Sequence, residues 1–193
     1  GGHFENTGIY ELLRPDRGVS LIVCCDCGAD PNYTFEDLAN LTRLARIDYG
    51  IELDVDTTAA DDKNALGEVF GTFADFRDNS PNGAKNGKCA VLVKVSKRLN
   101  LDGDRLPDAW IIFLKPRILP TSAIDVRHYH ATHPSFPQET TTDQFFDEAQ
   151  WESYRRLGRE VALRVFPGPS EGRDAYVQAF ATHLQLATAA ERL

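Results

Sequence analysis

The spacing of apolar residues divides the chain into helical and extended stretches. Across residues 6–14, Ile9, Leu12 and Leu13 recur at helical spacing, which predicts a short helix stopped by Pro15. Val19 to Cys25 is a nearly continuous apolar run, the pattern of a central strand covered on both faces, and Gly28, Asp30 and Pro31 close it. A second helix is expected from Thr34 as N-cap, with Asp37 in its first turn, Leu38, Leu41 and Leu44 on one face, and Gly50 as its stop. Ile51 to Asp56 alternates apolar and acidic residues, as a strand does near a sheet edge.

Residues 57–88 are rich in Gly, Asn, Asp and Ala and carry no clear period; 78–83 form a turn. Cys89 to Val95 and Trp110 to Leu114 read as two strands of a hairpin, with turn chemistry at residues 100–104 between them. Pro116, Pro120, Pro134 and Pro137 mark a long irregular connection. Thr141 and Gln144 have capping-box spacing ahead of a long amphipathic helix marked by Phe146, Ala149, Leu157, Val161 and Val165. Residues 167–169 break it, and a last helix is expected over 174–190. No internal repeat is visible. Helices and strands in this order predict an α/β fold with its sheet sandwiched in three α/β/α layers, and four strands suit one end of a larger sheet.

Composition narrows the function classes. With 42% hydrophobic residues in 193, the chain can bury a substantial core. A net charge of -8 argues against a nucleic-acid surface, which needs clustered cations, and an anionic membrane would repel the chain on average. The longest apolar runs are too short to span a bilayer, and no charged-then-apolar signal opens the chain. Cys24, Cys25 and Cys27 are too crowded for a disulfide framework or paired zinc ligands, so free thiols in a reducing, cytoplasmic setting are expected, with the three as strand-end packing residues. The absence of Met and the opening Gly1-Gly2-His3-Phe4-Glu5-Asn6 lead us to expect that upstream sequence is missing.

The first twelve residues carry the strongest signal. Gly1-Gly2-His3-Phe4-Glu5-Asn6-Thr7-Gly8-Ile9-Tyr10-Glu11-Leu12 resembles the segment after the catalytic Asp in the Asp-Gly-Gly motif of patatin-like phospholipases; that Asp would immediately precede Gly1. A Gly-Gly pair alone reads as a flexible cloning scar, but the match continues through Leu12. Residues 26–31, 34–38 and 46–50 resemble the strand, turn and helix that follow the motif, and residues 136–148 with 151–154 resemble a later stretch of bacterial members. In order, these cover about half the chain; residues 57–127 add little.

The resemblance implies a patatin-like α/β/α sheet represented by its C-terminal part, hydrolysis of lipid carboxylic esters, and a Ser-Asp dyad whose Ser lies in an upstream G-x-S-x-G elbow. It implies no catalytic residue within this chain, no cofactor and no metal. The glycine pair would let the backbone bring the Asp against the Ser, and an upstream Gly-rich loop would supply oxyanion amides. Gly1, Gly2, His3, Glu5 and Asn6 are then motif and site-adjacent residues; His3 and Glu5 either line the active-site mouth or cap the first helix. The implied partners are an upstream portion of the same protein carrying the Ser, a lipid or acyl ester, and peripheral contact with a membrane.

Rival readings rank lower. Gly168-Pro169-Ser170-Glu171-Gly172 fits G-x-S-x-G but follows a helix, whereas a nucleophile elbow needs a strand, and a base such as His183 would have to reach Ser170. The stretch with His128, His130 and His133 could be a metal cluster, since residues two apart on a strand face the same way, yet it lacks a carboxylate or Cys partner nearby. Asp54, Asp56, Asp61, Asp62, Asp102, Asp104 and Asp108 read as solvated acidic loops, since Gly103 does not occupy an EF-hand's sixth position. The alternatives kept open are a non-catalytic interaction module with a hydrolase-like half-fold and, below it, a metal-dependent hydrolase.

Overall fold

The computed structural model describes residues 4–77, 79–80, 83–140, 142–168 and 172–184. Its main sheet joins β1 (Leu21–Cys25), β6 (Ala109–Leu114), β5 (Ala90–Ser96) and β2 (Glu52–Val55), in that spatial order. β1 runs parallel to β6, with Cys25 opposite Leu114; β6 with β5 and β5 with β2 are antiparallel. A small hairpin, β3 (Asn79–Ser80) with β4 (Gly83–Ala84), stands apart.

Alternation along the strands makes two cores. Val91, Val93, Ile111 and Phe113 face one side and pack with Leu38, Leu41 and Ala45 of α1 (Glu36–Tyr49). Leu92, Ile112 and Leu114 face the other and pack with α3 (Ile124–Thr132), α4 (Glu148–Val165) and α5 (Asp174–His183). The α/β class and the helix-sheet-helix layering are thus as expected. Leu41 is fully buried, which contributes about 1.5–3 kcal/mol.

Several boundaries differ from the periodicity. The first helix is only a 3-10 turn over Tyr10–Leu13, with Gly8 at φ 72 just before it; it stops ahead of Pro15 as expected, with Arg14 extended, and Pro15 opens a second 3-10 turn. β1 is an edge strand, paired among the described residues with β6 alone, and Val23 is 53% exposed. The apolar run had indicated a central strand, but such a run reports side-chain type and not which neighbours are present.

α1 starts at Glu36, so Thr34 is not its cap. The Asp30 carboxylate instead accepts the amides of Thr34 and Phe35 at 2.8 Å each, and Phe35 turns left-handed at φ 57 to put its ring into the core. Gly50 ends the helix in the left-handed conformation that favours glycine. A short α2 (Phe73–Arg77) lies in the segment without clear period, and the predicted irregular connection contains α3, whose Val126 and Tyr129 are buried three residues apart between Pro120 and Pro134. α4 is capped by Asp147, which accepts the Gln150 amide at 2.7 Å; Thr141 lies outside the described residues, and the helix begins beyond Gln144. α5 is described to His183, and the rest of the predicted final helix, from residue 185, lies outside the described residues. Among the described residues no helix is long and apolar enough to cross a membrane.

Candidate functional site

An open polar cleft of about 920 Å³ lies at the carboxyl ends of the parallel pair β1 and β6. Open α/β sheets bind ligands at this end, where helix amino termini and loops converge. The strand exit from Cys24 to Asp30, the first turns of α1 with Glu36, Asp37 and Asn40, and Lys115 after β6 form most of its wall. Asn6, Thr7 and Thr140 complete it.

A buried ion pair forms its floor. Alternation places Asp26 on the covered face of the strand exit, and Lys115 follows β6 directly, so the Lys115 Nζ lies 2.8 Å from Asp26 Oδ2. The same ammonium donates to the Gly28 carbonyl at 3.0 Å, and the Gly28 amide donates to Asp26 Oδ1 at 2.9 Å. A Cβ on Gly28 would come within 3.1 Å of that carboxylate, so a larger residue there would press on the ion pair.

Asp30 shapes the next turn. Burial raises its pKa, but the Thr34 and Phe35 amides, the Thr34 hydroxyl and the Lys115 charge outweigh that and hold it below the usual carboxylate range. Its own amide donates to Gln138 Oε1 at 2.7 Å, which fastens the loop to the segment ahead of Thr140. On the other side, Asn6 Nδ2 donates to Asp37 Oδ1 at 3.1 Å and Asn40 Nδ2 to the Phe4 carbonyl at 2.8 Å, so the amino-terminal segment lies along α1.

Cys24 packs into the core, and burial pushes its thiol up to about 12. Cys25 and Cys27 differ from the expected packing role: both are exposed, and their sulfurs are 3.6 Å apart. Alternation explains the split, since residues 25 and 27 share the face opposite Cys24 and Asp26. Both thiols also border a small apolar recess of about 50 Å³ against Pro116, Pro137, Tyr154 and Leu157.

Among the residues singled out from sequence, Gly1, Gly2 and His3 lie outside the described residues, as does Ser170. Asn6 lines the cleft. Glu5 folds over its own turn, accepting the Thr7 amide at 2.5 Å, the Gly8 amide at 2.9 Å and the Thr7 hydroxyl. These bonds close its own turn and do not cap the first 3-10 helix, which begins at Tyr10 without a side-chain cap. His128 and His130 lie in α3 rather than a strand, where positions two apart diverge, and His133 follows its end: His130 Nδ1 lies 2.7 Å from the Phe136 carbonyl, and His133 stacks on Tyr129 with ring centres 4.0 Å apart. Among the described residues no group of three His, Cys, Asp or Glu side chains is placed to hold a metal ion.

Sequence reasoning missed two features. Lys115 had no signal beyond being a lysine immediately after an apolar strand. His183 and Asp56 meet at 2.6 Å between Nε2 and Oδ2 although 127 residues apart, a pairing that no local pattern encodes. Comparison with protein-family models, with curated proteins and with solved structures returned no match.

Proposed function

We propose that the chain is the C-terminal part of a patatin-like serine lipid acyl hydrolase. It would supply the scaffold behind the catalytic Asp and one wall of the site where an ester is cleaved through an acyl-serine intermediate. One observation supports this above others: the three stretches that resemble the family, far apart in sequence, meet at a single cleft. Asn6 bonds Asp37 and Asp30 bonds Gln138, so residues from the first, second and third stretch share one wall at the carboxyl end of the sheet.

In this reading the bonds from Asn6 to Asp37 and from Asn40 to the Phe4 carbonyl anchor the segment after the Asp-Gly-Gly motif to α1 beside the cleft. The polar lining receives the ester head. The exposed edge of β1 is where an upstream strand bearing the Ser elbow would pair.

The test is hydrolysis of a chromogenic fatty-acyl ester by this chain and by a longer polypeptide that adds the motif Asp and the upstream Ser. The longer protein is expected to be active and to lose activity on Ser→Ala or Asp→Asn substitution, with this chain alone inactive. An inactive longer protein carrying both residues, in a folded state, overturns the reading.

The second reading is a non-catalytic interaction module with a hydrolase-like half-fold. Upstream sequence without a G-x-S-x-G elbow would select it.

A further inference from the structure

The paired thiols at the exit of β1 have no part in ester hydrolysis. Cys25 ends the strand, and Cys27 follows Asp26, whose carboxylate is tied down by Lys115 on the opposite face. The anchored residue lies between the two cysteines, so their side chains project together on the open side with the sulfurs 3.6 Å apart. Neither sulfur is sealed off: both residues are exposed and line the cleft.

We propose that Cys25 and Cys27 form a peroxide-reactive dithiol that closes to an intramolecular disulfide, a redox site independent of the hydrolase reading. The Cys27 thiolate attacks the terminal, hydrogen-bearing oxygen of a hydroperoxide, breaking the O–O bond and leaving Cys27 as a sulfenic acid, while the departing alkoxide or hydroxide takes up the proton that the thiol released and leaves as alcohol or water. The Cys25 thiol then attacks that sulfur, releases water and completes the S–S bond. Two thiols lose two protons and two electrons, and the peroxide is reduced by the same two electrons.

The assignment of roles follows from the surroundings. The hydrogen bond from Cys25 lowers the Cys27 pKa to about 7; burial and the Asp26 carboxylate oppose this, and the Lys115 ammonium assists it. Cys25 is shifted upward, first by that same bond and then by burial, so it stays protonated as the resolving thiol. Closure needs the sulfurs to approach from 3.6 Å to about 2.05 Å, a movement within reach of side-chain rotation and a small shift of the loop.

The experiment treats the chain with hydrogen peroxide, blocks free thiols with N-ethylmaleimide, and reads intact mass and peptide maps. Before oxidation Cys25 and Cys27 are expected to alkylate ahead of the buried Cys24 and Cys89. After it both should resist, with a mass lower by two hydrogens that dithiothreitol restores. Cys25→Ser should trap a dimedone-reactive sulfenic acid on Cys27, and Cys27→Ser should abolish the fast step; both positions are exposed, and circular dichroism confirms the fold. Unchanged alkylation after peroxide, disulfides only between chains, or sulfinic acid without the internal bridge would each overturn the proposal.

Discussion

Lys115 and Asp26 hold each other at 2.8 Å with side chains 1% and 8% exposed, and they join the ends of the two parallel strands beneath the cleft. β1 is an edge strand, and this pair holds its exit together with the Asp26 amide, which donates to the Leu114 carbonyl at 2.9 Å.

Removing one partner should therefore be costly. Lys115→Met leaves a buried carboxylate without a counter-charge and is expected to destabilise the chain by about 3–5 kcal/mol. The double variant Lys115→Met with Asp26→Leu should recover most of that loss. Urea unfolding measures both, and a double variant no more stable than the single one would show that the charges do not act as a pair.

Acid should weaken the fold through identified carboxylates. Burial raises the pKa of Asp56, but hydrogen bonds from the Thr58 hydroxyl, His183 and the Ala59 amide prevail and lower it. A folded pKa below the unfolded one stabilises fully above the unfolded value, about 3.9, and that contribution is lost as pH falls through the folded value. Asp30 behaves the same way. Below about pH 4 the thermal midpoint should fall, and the Asp56→Asn variant should show a shallower decline over that window.

Two glycines should respond oppositely to Ala. A Cβ at Gly67 would lie 2.2 Å from the Asp61 carbonyl oxygen, a backbone atom that cannot turn aside. Gly67→Ala should cost about 3 kcal/mol, the upper end for overpacking. Gly158, inside α4, has open space around it, and Gly158→Ala should stabilise by about 0.5–1 kcal/mol. Chemical denaturation of the two variants side by side decides the matter.

Phe35 combines a buried ring with a left-handed backbone. Its ring stacks on Phe73 at 4.6 Å and meets Phe76 edge-on at 5.2 Å, so Phe35→Ala should cost about 3–5 kcal/mol. Glycine normally fares worse than alanine at a truncated site, but at φ 57 it avoids about 1 kcal/mol of backbone strain. Phe35→Gly should accordingly be no less stable than Phe35→Ala, a comparison that thermal unfolding resolves.

By itself the sequence determined the α/β class, the four strands of the main sheet, the β5–β6 hairpin and the bodies of α1 and α4. Each rests on a period of two or 3.6 that records which side of a local element is buried. Gly50 could be read for the same reason, since a left-handed helix end is a demand of the backbone at one residue. Only the tertiary structure decided that β1 lies at an edge, that Phe35 and not Thr34 precedes α1, and that residues 124–132 are helical. It also decided that Asn6, Asp37, Asp30 and Gln138 gather at one cleft, that Lys115 meets Asp26, and that Cys25 and Cys27 stand together on the open side. These are encounters between residues up to 108 positions apart, as for Asp30 and Gln138, and periodicity carries a residue's burial but not the identity of the distant group that buries it.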